Sequence, residues 1–299
     1  MKILVTGSKG QLGSELIKQG KHTPGTAQYP GFEIIPADHS QLDITDKGQV
    51  QAAFKSFQPS LVVNAAAYTN VDRAETEQQP AFAVNRDGPA CLAEACKDAD
   101  IPLVHISTDF VFDGKKKTPY IETDPVSPLG IYAKSKEHGE QEIRNCTEKH
   151  VIIRTSWLYG VYGHNFVKTM LRLGRENKVI RVVADQHGSP TNAADLAGAV
   201  LAVAGHMRDS MEICWGTYHY CGKGITTWHG FAEKIFEIAG KYGMLQIPSV
   251  EAITTAEYPT PAKRPAYSAF DCGLIQKNFG VSTVSWEKSL EIALEHILQ

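Results

Sequence analysis

The feature that most constrains the fold lies at the N-terminus, where a short apolar run leads into three evenly spaced glycines. Residues 2–6 (KILVT) read as a buried strand, and Gly7, Gly10 and Gly13 follow as the chain enters a helical pattern. Glycines at such a turn let the backbone approach a pyrophosphate, and the next helix offers free N–H groups at its positive end. The spacing is GxxGxxG rather than GxGxxG, so its weight comes from the flanking strand and helix. An ordinary turn is the less favoured interpretation.

Apolar runs and helical patterns alternate through the first part of the chain. Strands are predicted at 2–6, 32–37, 61–64, 102–107 and 151–154, helices at 11–18, 46–57, 80–100 and 132–145, and a polar loop at 21–31. This alternation predicts an α/β protein with a doubly wound parallel sheet, the Rossmann fold, over residues 1–160.

The alternation weakens after about residue 160. Helices are predicted at 166–176, 193–205, 229–243 and 286–298, with an irregular, proline-rich stretch at 244–275. We therefore expect residues 161–299 to form mainly a smaller, mixed α/β substrate-binding lobe, with segments interleaved with the first domain.

Composition excludes several classes of protein. Thirty basic and 33 acidic residues give a formal net charge of −3, so nothing in the balance calls for nucleic acid or an anionic membrane. The six cysteines show neither a CxxC pair nor zinc spacing, which predicts reduced thiols, no metal site and a cytoplasmic protein. The first residues enter a strand without a signal peptide, and the most apolar stretch, 196–204, is too short to span a bilayer.

Three side chains indicate proton chemistry at a carbonyl. Tyr132 and Lys136 lie four residues apart in a predicted helix, so they share one face, one turn apart. An ammonium beside a phenol is expected to lower the tyrosine pKa from about 10, giving a group that exchanges a proton near neutral pH. Thr108 follows a predicted strand, where a hydroxyl can hydrogen-bond a substrate carbonyl. Each signal alone is common, but their conjunction with the glycine turn predicts hydride transfer to or from a carbonyl.

Polar and small residues at the other predicted strand ends are candidates for cofactor contacts. Asp38 closes the second strand, where an acid can accept hydrogen bonds from an adenosine ribose, although a turn-capping role is a serious alternative. Asp43 is expected either near the adenine or as a helix cap. The third strand ends in small residues that let a cofactor lie against the backbone, or that pack a helix, and hydroxyl and amide groups come next; the candidates here are Ala65, Ala66, Ala67, Tyr68, Thr69 and Val71.

With these residues in place, the chain resembles the extended short-chain dehydrogenases/reductases, and within them the dTDP-4-dehydrorhamnose reductase family. The glycine turn and SPLGIYAKSKEHGE (127–140) are shared across the superfamily. The segments more specific to the narrower family are NAAAYTNVDRAE (64–75), STDFVFDG (107–114), RTSWLYG (154–160) and YPTPAKRPAYS (258–268).

The resemblance implies the last step of dTDP-L-rhamnose synthesis, which serves cell-surface polysaccharides: a hydride from NAD(P)H reduces the C4 carbonyl of dTDP-4-dehydro-L-rhamnose. It implies that Tyr132 donates the proton, that Lys136 lowers its pKa and holds the nicotinamide ribose, and that Thr108 binds the carbonyl oxygen. The implied cofactor contacts are Gly7, Gly10, Gln11, Leu12, Gly13, Asp38, Asp43, Ile44, Ala65, Ala66, Ala67, Tyr68, Thr69, Tyr132 and Lys136. The implied substrate contacts are Thr69, Val71, Thr108, Asp109, Tyr132, Trp157 and, for the diphosphate, Arg264.

Cofactor choice and assembly are less constrained. Asp38 argues for NADH, whereas the family commonly uses NADPH, so we expect NADPH with NADH as a second substrate. Some relatives form a magnesium-bridged dimer through acidic residues; Glu15 matches one of these, but Ala194 stands where another is expected. A homodimer is therefore open, and a metal-dependent one is not expected.

Two alternatives remain at this point. A sugar-nucleotide epimerase or dehydratase of the same superfamily shares the glycine turn and the YxxxK pair, but dehydratases generally have Thr-Asp-Glu where this chain has Thr108-Asp109-Phe110. A non-catalytic regulatory subunit, such as the β subunit of methionine adenosyltransferase, also resembles this family and would bind nucleotide and a partner enzyme without turnover.

Overall fold

The structure is a computed structural model that describes residues 1–20, 31–210, 212–243 and 247–299. Its strands are β1 (Lys2–Thr6), β2 (Glu33–Ala37), β3 (Leu61–Asn64), β4 (Leu103–Thr108), β5 (His150–Thr155), β6 (Leu158–Tyr159), β7 (Val179–Val183), β8 (His187–Gly188), β9 (Thr191–Asn192), β10 (Gly216–His219), β11 (Thr226–Thr227) and β12 (Ser249–Ile253). Its helices are α1 (Gln11–Gly20), α2 (Lys47–Phe57), α3 (Val71–Ala74), α4 (Gln78–Phe82), α5 (Gly88–Asp98), α6 (Ile131–Cys146), α7 (Phe166–Glu176), α8 (Ala193–Asp209), α9 (Trp228–Lys241), α10 (Gly273–Phe279) and α11 (Trp286–Leu298).

Six parallel strands form the central sheet, in the order β10-β5-β4-β3-β1-β2. The sheet strands β1, β3, β4 and β5 are buried along almost their whole length, as expected for strands covered on both faces. The strand order reverses between β1 and β3, and ligands of open α/β sheets bind at the carboxyl ends of the strands at such a switch point. The predicted doubly wound parallel sheet is therefore confirmed.

Helices cover both faces of the sheet. One core lies between the sheet and α1, α8 and α10, with Leu16, Val200 and Phe279 among its members. The opposite core lies between the sheet and α2, α5 and α6, and it includes Leu92 and Ile143. Most of these helices bury one apolar face against the sheet, whereas α8 is buried or half-buried along its whole length except at Arg208 and Asp209.

A further core lies outside the sheet, between α7, α9 and α11. Phe231 and Leu290 are fully buried in it, and β7 pairs with β12 in a two-stranded parallel sheet beside it. The intervening segments α8, β10 and α10 belong instead to the sheet and its core. The division at residue 160 and the role of 161–299 as a substrate lobe stay predictions.

Several local expectations are corrected. The helix expected at 80–100 is interrupted by a π-helical turn over Ala83–Asp87, and the stretch expected to be irregular contains β12. The strand β10 has no counterpart among the predicted elements. The loop expected at 21–31 lies outside the described residues except for Gly31.

Candidate active site

The glycine turn lies at the switch point of the sheet, between the ends of β1 and β3. Gly7 has a φ of +66°, and a Cβ there would lie 2.6 Å from the Ala66 nitrogen and 2.7 Å from the Ala65 carbonyl carbon. Gly10 N–H donates to the Gly7 carbonyl (2.9 Å), which closes the turn immediately before α1. The first N–H groups of α1 have no acceptor within the helix and face the turn. This backbone cradle fits the diphosphate of a dinucleotide.

The other predicted residues of the turn divide into two kinds. The Leu12 side chain is buried in the sheet core, so it shapes the helix rather than offering a polar group. Gln11 Oε1 instead accepts a hydrogen bond from Asn165 Nδ2 (3.1 Å), and Asn165 caps the N-terminus of α7. Gln11 therefore links the glycine turn to the N-terminus of α7, which is the first helix of the core outside the sheet.

Asp38, at the end of β2, is fully engaged by its neighbours. Its Oδ1 accepts hydrogen bonds from Ser40 N–H (2.8 Å) and from the Ser40 hydroxyl (2.5 Å), and its Oδ2 forms an ion pair with Lys9 of the glycine turn. The Lys9 and Ser40 contacts hold the pKa of the Asp38 carboxyl well below its usual range. Lys9 therefore neutralises the charge by which Asp38 was expected to repel a 2′-phosphate.

The next two predicted cofactor contacts lie after β2. Asp43 Oδ1 accepts from Thr45 N–H (2.9 Å) and the Thr45 hydroxyl (2.8 Å), which is a local turn, while α2 is capped by Asp46. Ile44 is buried in the core beneath α5. Asp43 therefore closes a local turn and is not the cap of α2, Ile44 packs in the core, and the cofactor contacts expected of both residues stay predictions.

Thr108, Asp109 and Tyr132 come together where β4 ends against the first turn of α6. The Thr108 hydroxyl donates to Asp109 Oδ1 (3.1 Å) and accepts from Phe110 N–H (3.2 Å), and Asp109 is buried. Desolvation raises the Asp109 pKa to about 6, against the hydrogen bonds of Ser268 and Thr108, which lower it. The Tyr132 ring meets Phe110 edge to face, with 5.7 Å between ring centroids.

The expectation that Lys136 lowers the Tyr132 pKa is wrong for this structure. Desolvation raises the Tyr132 pKa to about 12; a hydrogen bond with Thr108 lowers it, and the charge of Asp109 raises it further. Lys136, itself buried, donates from Nζ to the Ile106 carbonyl (2.7 Å) and lies 3.3 Å from His105 Nε2. Desolvation lowers the Lys136 pKa to about 8. Sequence spacing predicts the shared helix face but not the direction of the lysine tip.

A buried hydrogen-bond chain continues from Lys136 across the sheet. The His105 Nδ1 lies 3.0 Å from Asn64 Nδ2, and Asn64 Oδ1 accepts from the Thr6 hydroxyl (2.7 Å) and from Ala66 N–H (3.2 Å). Burial lowers the His105 pKa well below its usual value, so the ring is neutral. The chain joins the cofactor-side ends of β1 and β3 to the lysine, and His105 lies at its centre.

Two residues that sequence reasoning missed fix α6 in place. Glu75 Oε1 accepts from Ile131 N–H (2.8 Å), which places a carboxylate at the positive start of the helix. Asn85, in the π-helical turn, accepts from Tyr68 N–H (2.8 Å) and donates to the Tyr68 carbonyl (3.0 Å) and to Ser135 Oγ (3.0 Å). Such π-helical turns often occur at functional sites, but no simple sequence pattern predicts where one will form.

The face of α6 that carries Tyr132 and Lys136 continues to Glu140, one turn further. Arg154 of β5 donates to this carboxylate from Nε (2.9 Å) and Nη2 (2.7 Å), and both side chains are buried. Arg144 Nη1 adds a third donor at 3.0 Å. Desolvation raises the Glu140 pKa, but the arginines outweigh it and the net shift is downward.

The predicted substrate contacts are spread more widely. Trp157, with a φ of +48°, stacks on Trp228 at 3.7 Å and 8° between rings, so one indole face is packed in the protein. Arg264 Nη2 forms an ion pair with Asp72 Oδ2 (2.8 Å), which ties the 258–268 segment to α3. Thr69 is exposed, and Val71 is half-buried next to Asp72, which also accepts a hydrogen bond from Ala262 N–H of the 258–268 segment. The structure thus places Thr108, Asp109 and Tyr132 together, with Trp157 and Arg264 committed to protein contacts.

Metal ligands and membrane-spanning helices are both missing from the part of the chain that the structure describes. No group of three or more His, Cys, Asp or Glu side chains is arranged to hold a metal ion within those residues. No helix in the described part of the chain is long and apolar enough to cross a membrane.

The chain is similar to known proteins along its whole length. A model of the family described as the RmlD substrate binding domain matches residues 1–299. A curated dTDP-4-dehydrorhamnose reductase from Aggregatibacter actinomycetemcomitans is 43% identical, covering 97% of each chain. A crystal structure of a dTDP-4-dehydrorhamnose reductase from Clostridium acetobutylicum is 40% identical and covers 100% of both chains with a TM-score of 0.91. A Bacillus anthracis dTDP-4-dehydrorhamnose reductase, solved in complex with NADP, is 39% identical over 98% of both chains, with a TM-score of 0.88.

Proposed function

We propose that this chain, which belongs to the dTDP-4-dehydrorhamnose reductase family, reduces the C4 carbonyl of dTDP-4-dehydro-L-rhamnose to give dTDP-L-rhamnose. The family assignment makes it a sugar-nucleotide reductase of dTDP-rhamnose biosynthesis. The observation that carries the finer proposal is the meeting of Thr108, Asp109 and Tyr132 at the end of β4, beside the switch point that holds the glycine turn. A cytoplasmic location and a homodimer stay predictions.

NADPH is the proposed reductant, and the residues present fit it. The diphosphate would lie on the turn of Gly7 and Gly10 at the start of α1, where side chains are excluded by the approach of β3. Lys9, paired with Asp38, offsets the repulsion between the Asp38 carboxylate and a 2′-phosphate, and its exposed ammonium can donate to that phosphate. When bound, NADPH supplies the hydride for the carbonyl carbon.

The residues of this chain divide the remaining work. The Thr108 hydroxyl binds the substrate carbonyl oxygen, where negative charge develops. Tyr132 donates the proton to that oxygen, and its raised pKa keeps the phenol protonated in the resting enzyme. Lys136 holds the nicotinamide ribose by turning its ammonium from the Ile106 carbonyl, a rotation about its flexible side chain. Asp109 accepts the only hydrogen of that hydroxyl before substrate binds, so the hydroxyl turns from Asp109 to the carbonyl oxygen when substrate enters.

The proposed substrate contacts away from the carbonyl are Trp157, Arg264, Thr69 and Val71, and they come from the family resemblance. Trp157 stacks on Trp228 and has Gly188 against its ring, and the part of the half-buried indole that stays exposed suits contact with a sugar ring or a base. Arg264 is the proposed diphosphate ligand, and binding requires it to share or release Asp72. Thr69 and Val71 line the approach between them.

The test is sugar-dependent oxidation of NADPH, with dTDP-4-dehydro-L-rhamnose generated in the cuvette. We expect Tyr132→Phe to lower turnover by about 10²- to 10⁴-fold, because the proton donor is lost, while the NADPH dissociation constant changes little. Tyr242→Phe, at an exposed tyrosine, is the matched control and keeps wild-type turnover. Near-normal turnover of Tyr132→Phe refutes the proton-donor role.

The same assay separates the alternatives. NADPH binding without sugar-dependent oxidation refutes the reductase and favours an epimerase or a regulatory subunit. Comparison with NADH in the same cuvette gives the cofactor preference.

A further inference from the structure

Two of the six free cysteines lie side by side, far from each other in the chain. Cys221 Sγ is 3.7 Å from Cys272 Sγ, and the residues are 51 positions apart. Cys221 lies two residues after β10, and Cys272 immediately precedes α10. The two sulfur atoms are about in van der Waals contact, so the thiols are adjacent, and a disulfide requires them to move closer to the S–S bond length of about 2.05 Å.

The backbones that carry the two thiols are already tied to the same frame. Tyr220 N–H donates to the Arg154 carbonyl (3.0 Å), which holds the residue before Cys221 against β5. Asp271 N–H donates to the Tyr120 carbonyl (2.9 Å), which holds the residue before Cys272. Both cysteines also pack in one apolar cluster with Phe112. Their proximity is therefore imposed by the fold on both sides.

The thiols are not sealed from small solutes. A cavity of about 740 Å³ reaches both of them, and Ser189, Lys223 and Phe270 also line it. Cys272 is half-buried and Cys221 buried. A small neutral peroxide fits a cavity of this size, which is many times the volume of a water molecule.

The two thiols differ in acidity, which assigns them different roles. Hydrogen bonds from Cys272, Ser189 and the Phe270 backbone lower the Cys221 pKa, while the same contact raises the pKa of Cys272. The thiolate is the form of cysteine that attacks an oxidant, so Cys221 is the nucleophile and Cys272 the thiol that follows.

We propose that Cys221 and Cys272 form a reversible, peroxide-driven disulfide that fastens the segment 222–271 at its two ends. The Cys221 thiolate attacks one oxygen of hydrogen peroxide; an S–O bond forms, the O–O bond breaks, and the leaving hydroxide takes a proton to become water. Cys272 then attacks the sulfenic sulfur; an S–S bond forms, the S–O bond breaks, and a second water leaves. Two thiols are oxidised by two electrons and one peroxide is reduced to two waters.

The disulfide has a predictable effect on the molecule. The segment between the cysteines contains α9 and β12, which contribute to the core beyond the sheet. Joining its ends restricts the unfolded chain more than the folded one, so the oxidised protein unfolds at a temperature higher by several degrees, on the order of 5 °C. A thiol reductant reverses the shift.

The experiment treats the full-length protein with a stoichiometric amount of hydrogen peroxide and maps its peptides without reduction. We expect a loss of 2 Da in a peptide pair that joins Cys221 to Cys272, and a raised melting temperature. In Cys272→Ser we expect a gain of 16 Da on Cys221 instead, and no rise in melting temperature. Cys214→Ser, at an exposed cysteine, is the matched control and behaves as the wild type.

Other outcomes overturn the proposal. Oxidation spread over Cys91, Cys146 and Cys214 with an unlinked Cys221–Cys272 pair refutes the special reactivity. A linked pair with an unchanged or lowered melting temperature refutes the fastening role. Neither readout involves the reductase assay, so failure here leaves the proposed function untouched.

Discussion

His105 Nε2 lies 3.3 Å from Lys136 Nζ, inside the sheet-to-helix interface. Asn64 Oδ1 is occupied by two donors, so its amide nitrogen donates to His105 Nδ1, and the neutral ring carries its hydrogen on Nε2, towards the lysine. A donor that faces Nζ favours the neutral amine over the ammonium, so it lowers the Lys136 pKa. Burial acts in the same direction and lowers that pKa to about 8.

Substitution of His105 should therefore change the pH dependence of turnover. We expect His105→Phe to lower kcat about tenfold, because Asn64 loses a buried hydrogen-bond partner that is worth about 1 to 3 kcal/mol. We also expect the basic limb of the pH profile to move to higher pH, because the donor that disfavours the Lys136 ammonium is gone. His105→Gln retains a donor and an acceptor and should recover much of the loss. Turnover measured from pH 6 to 10 decides this; a profile of His105→Phe that superimposes on the wild type contradicts the role.

Asp109 should make stability depend on pH between about 4 and 6. Its native pKa is raised to about 6, so in this window the native state holds a proton that the unfolded state has released. The wild type therefore loses stability relative to Asp109→Asn as the pH rises, by at most about 3 kcal/mol. Urea unfolding at pH 4 and pH 7 measures the difference. Asp98→Asn, at an exposed position on α5, should show no such trend, and an equal trend in both variants would exclude Asp109 as its source.

Gly7→Ala tests the close approach of the glycine turn to β3. The change combines a positive φ with a Cβ that meets the backbone of Ala65 and Ala66. Gly280, at the end of α10, has nearly the same φ of +68°, but a Cβ there would have no heavy atom within 4 Å, so Gly280→Ala costs only the backbone conformation, about 1 to 2 kcal/mol. We expect a larger loss of unfolding free energy for Gly7→Ala, together with loss of NADPH binding. If both variants lost the same unfolding free energy and Gly7→Ala still bound NADPH, the backbone of Ala65 and Ala66 would not lie close enough to Gly7 to exclude a side chain.

Lys9→Ala tests the pairing at the end of β2. Without the ammonium, Asp38 faces a 2′-phosphate with its charge uncompensated, so we expect the NADPH dissociation constant to rise about tenfold, a loss of about 1.4 kcal/mol, and that for NADH to change little. Titration of the quenched protein fluorescence at low and high salt measures both constants. Lys18→Ala, near the far end of α1, is the control. Equal weakening of both cofactors would assign Lys9 to the diphosphate instead.

The sequence was most informative where function and fold depend on local spacing. The strand ends at Thr6 and Asn64, and that at Thr108 to within one residue, were predictable because buried parallel strands are continuous apolar runs. The helix face shared by Tyr132 and Lys136 followed from the period of an α-helix.

What the sequence could not supply depends on contacts between distant segments. Glu75 reaches the start of α6 from 56 residues away, and Lys9 reaches Asp38 across a turn, so neither contact follows from spacing. The strands β7 and β12 are partly exposed and some seventy residues apart, and a charged residue, Arg181 or Glu251, interrupts the apolar run in each. The Tyr132 pKa was misjudged because burial, rather than the neighbouring lysine, dominates it.

The path of the chain between the two cores has a consequence for biosynthesis. The core under the sheet is complete only when Val281 is in place, because α8, β10 and α10 return to it after excursions that build the other core. An N-terminal domain ordinarily folds while the ribosome is still translating the next one. Here the chain as far as Val281 must emerge before this face of the sheet can be covered, whereas α2, α5 and α6 can cover the opposite face earlier, so the nascent chain keeps one apolar sheet face open to proteases and chaperones until that point.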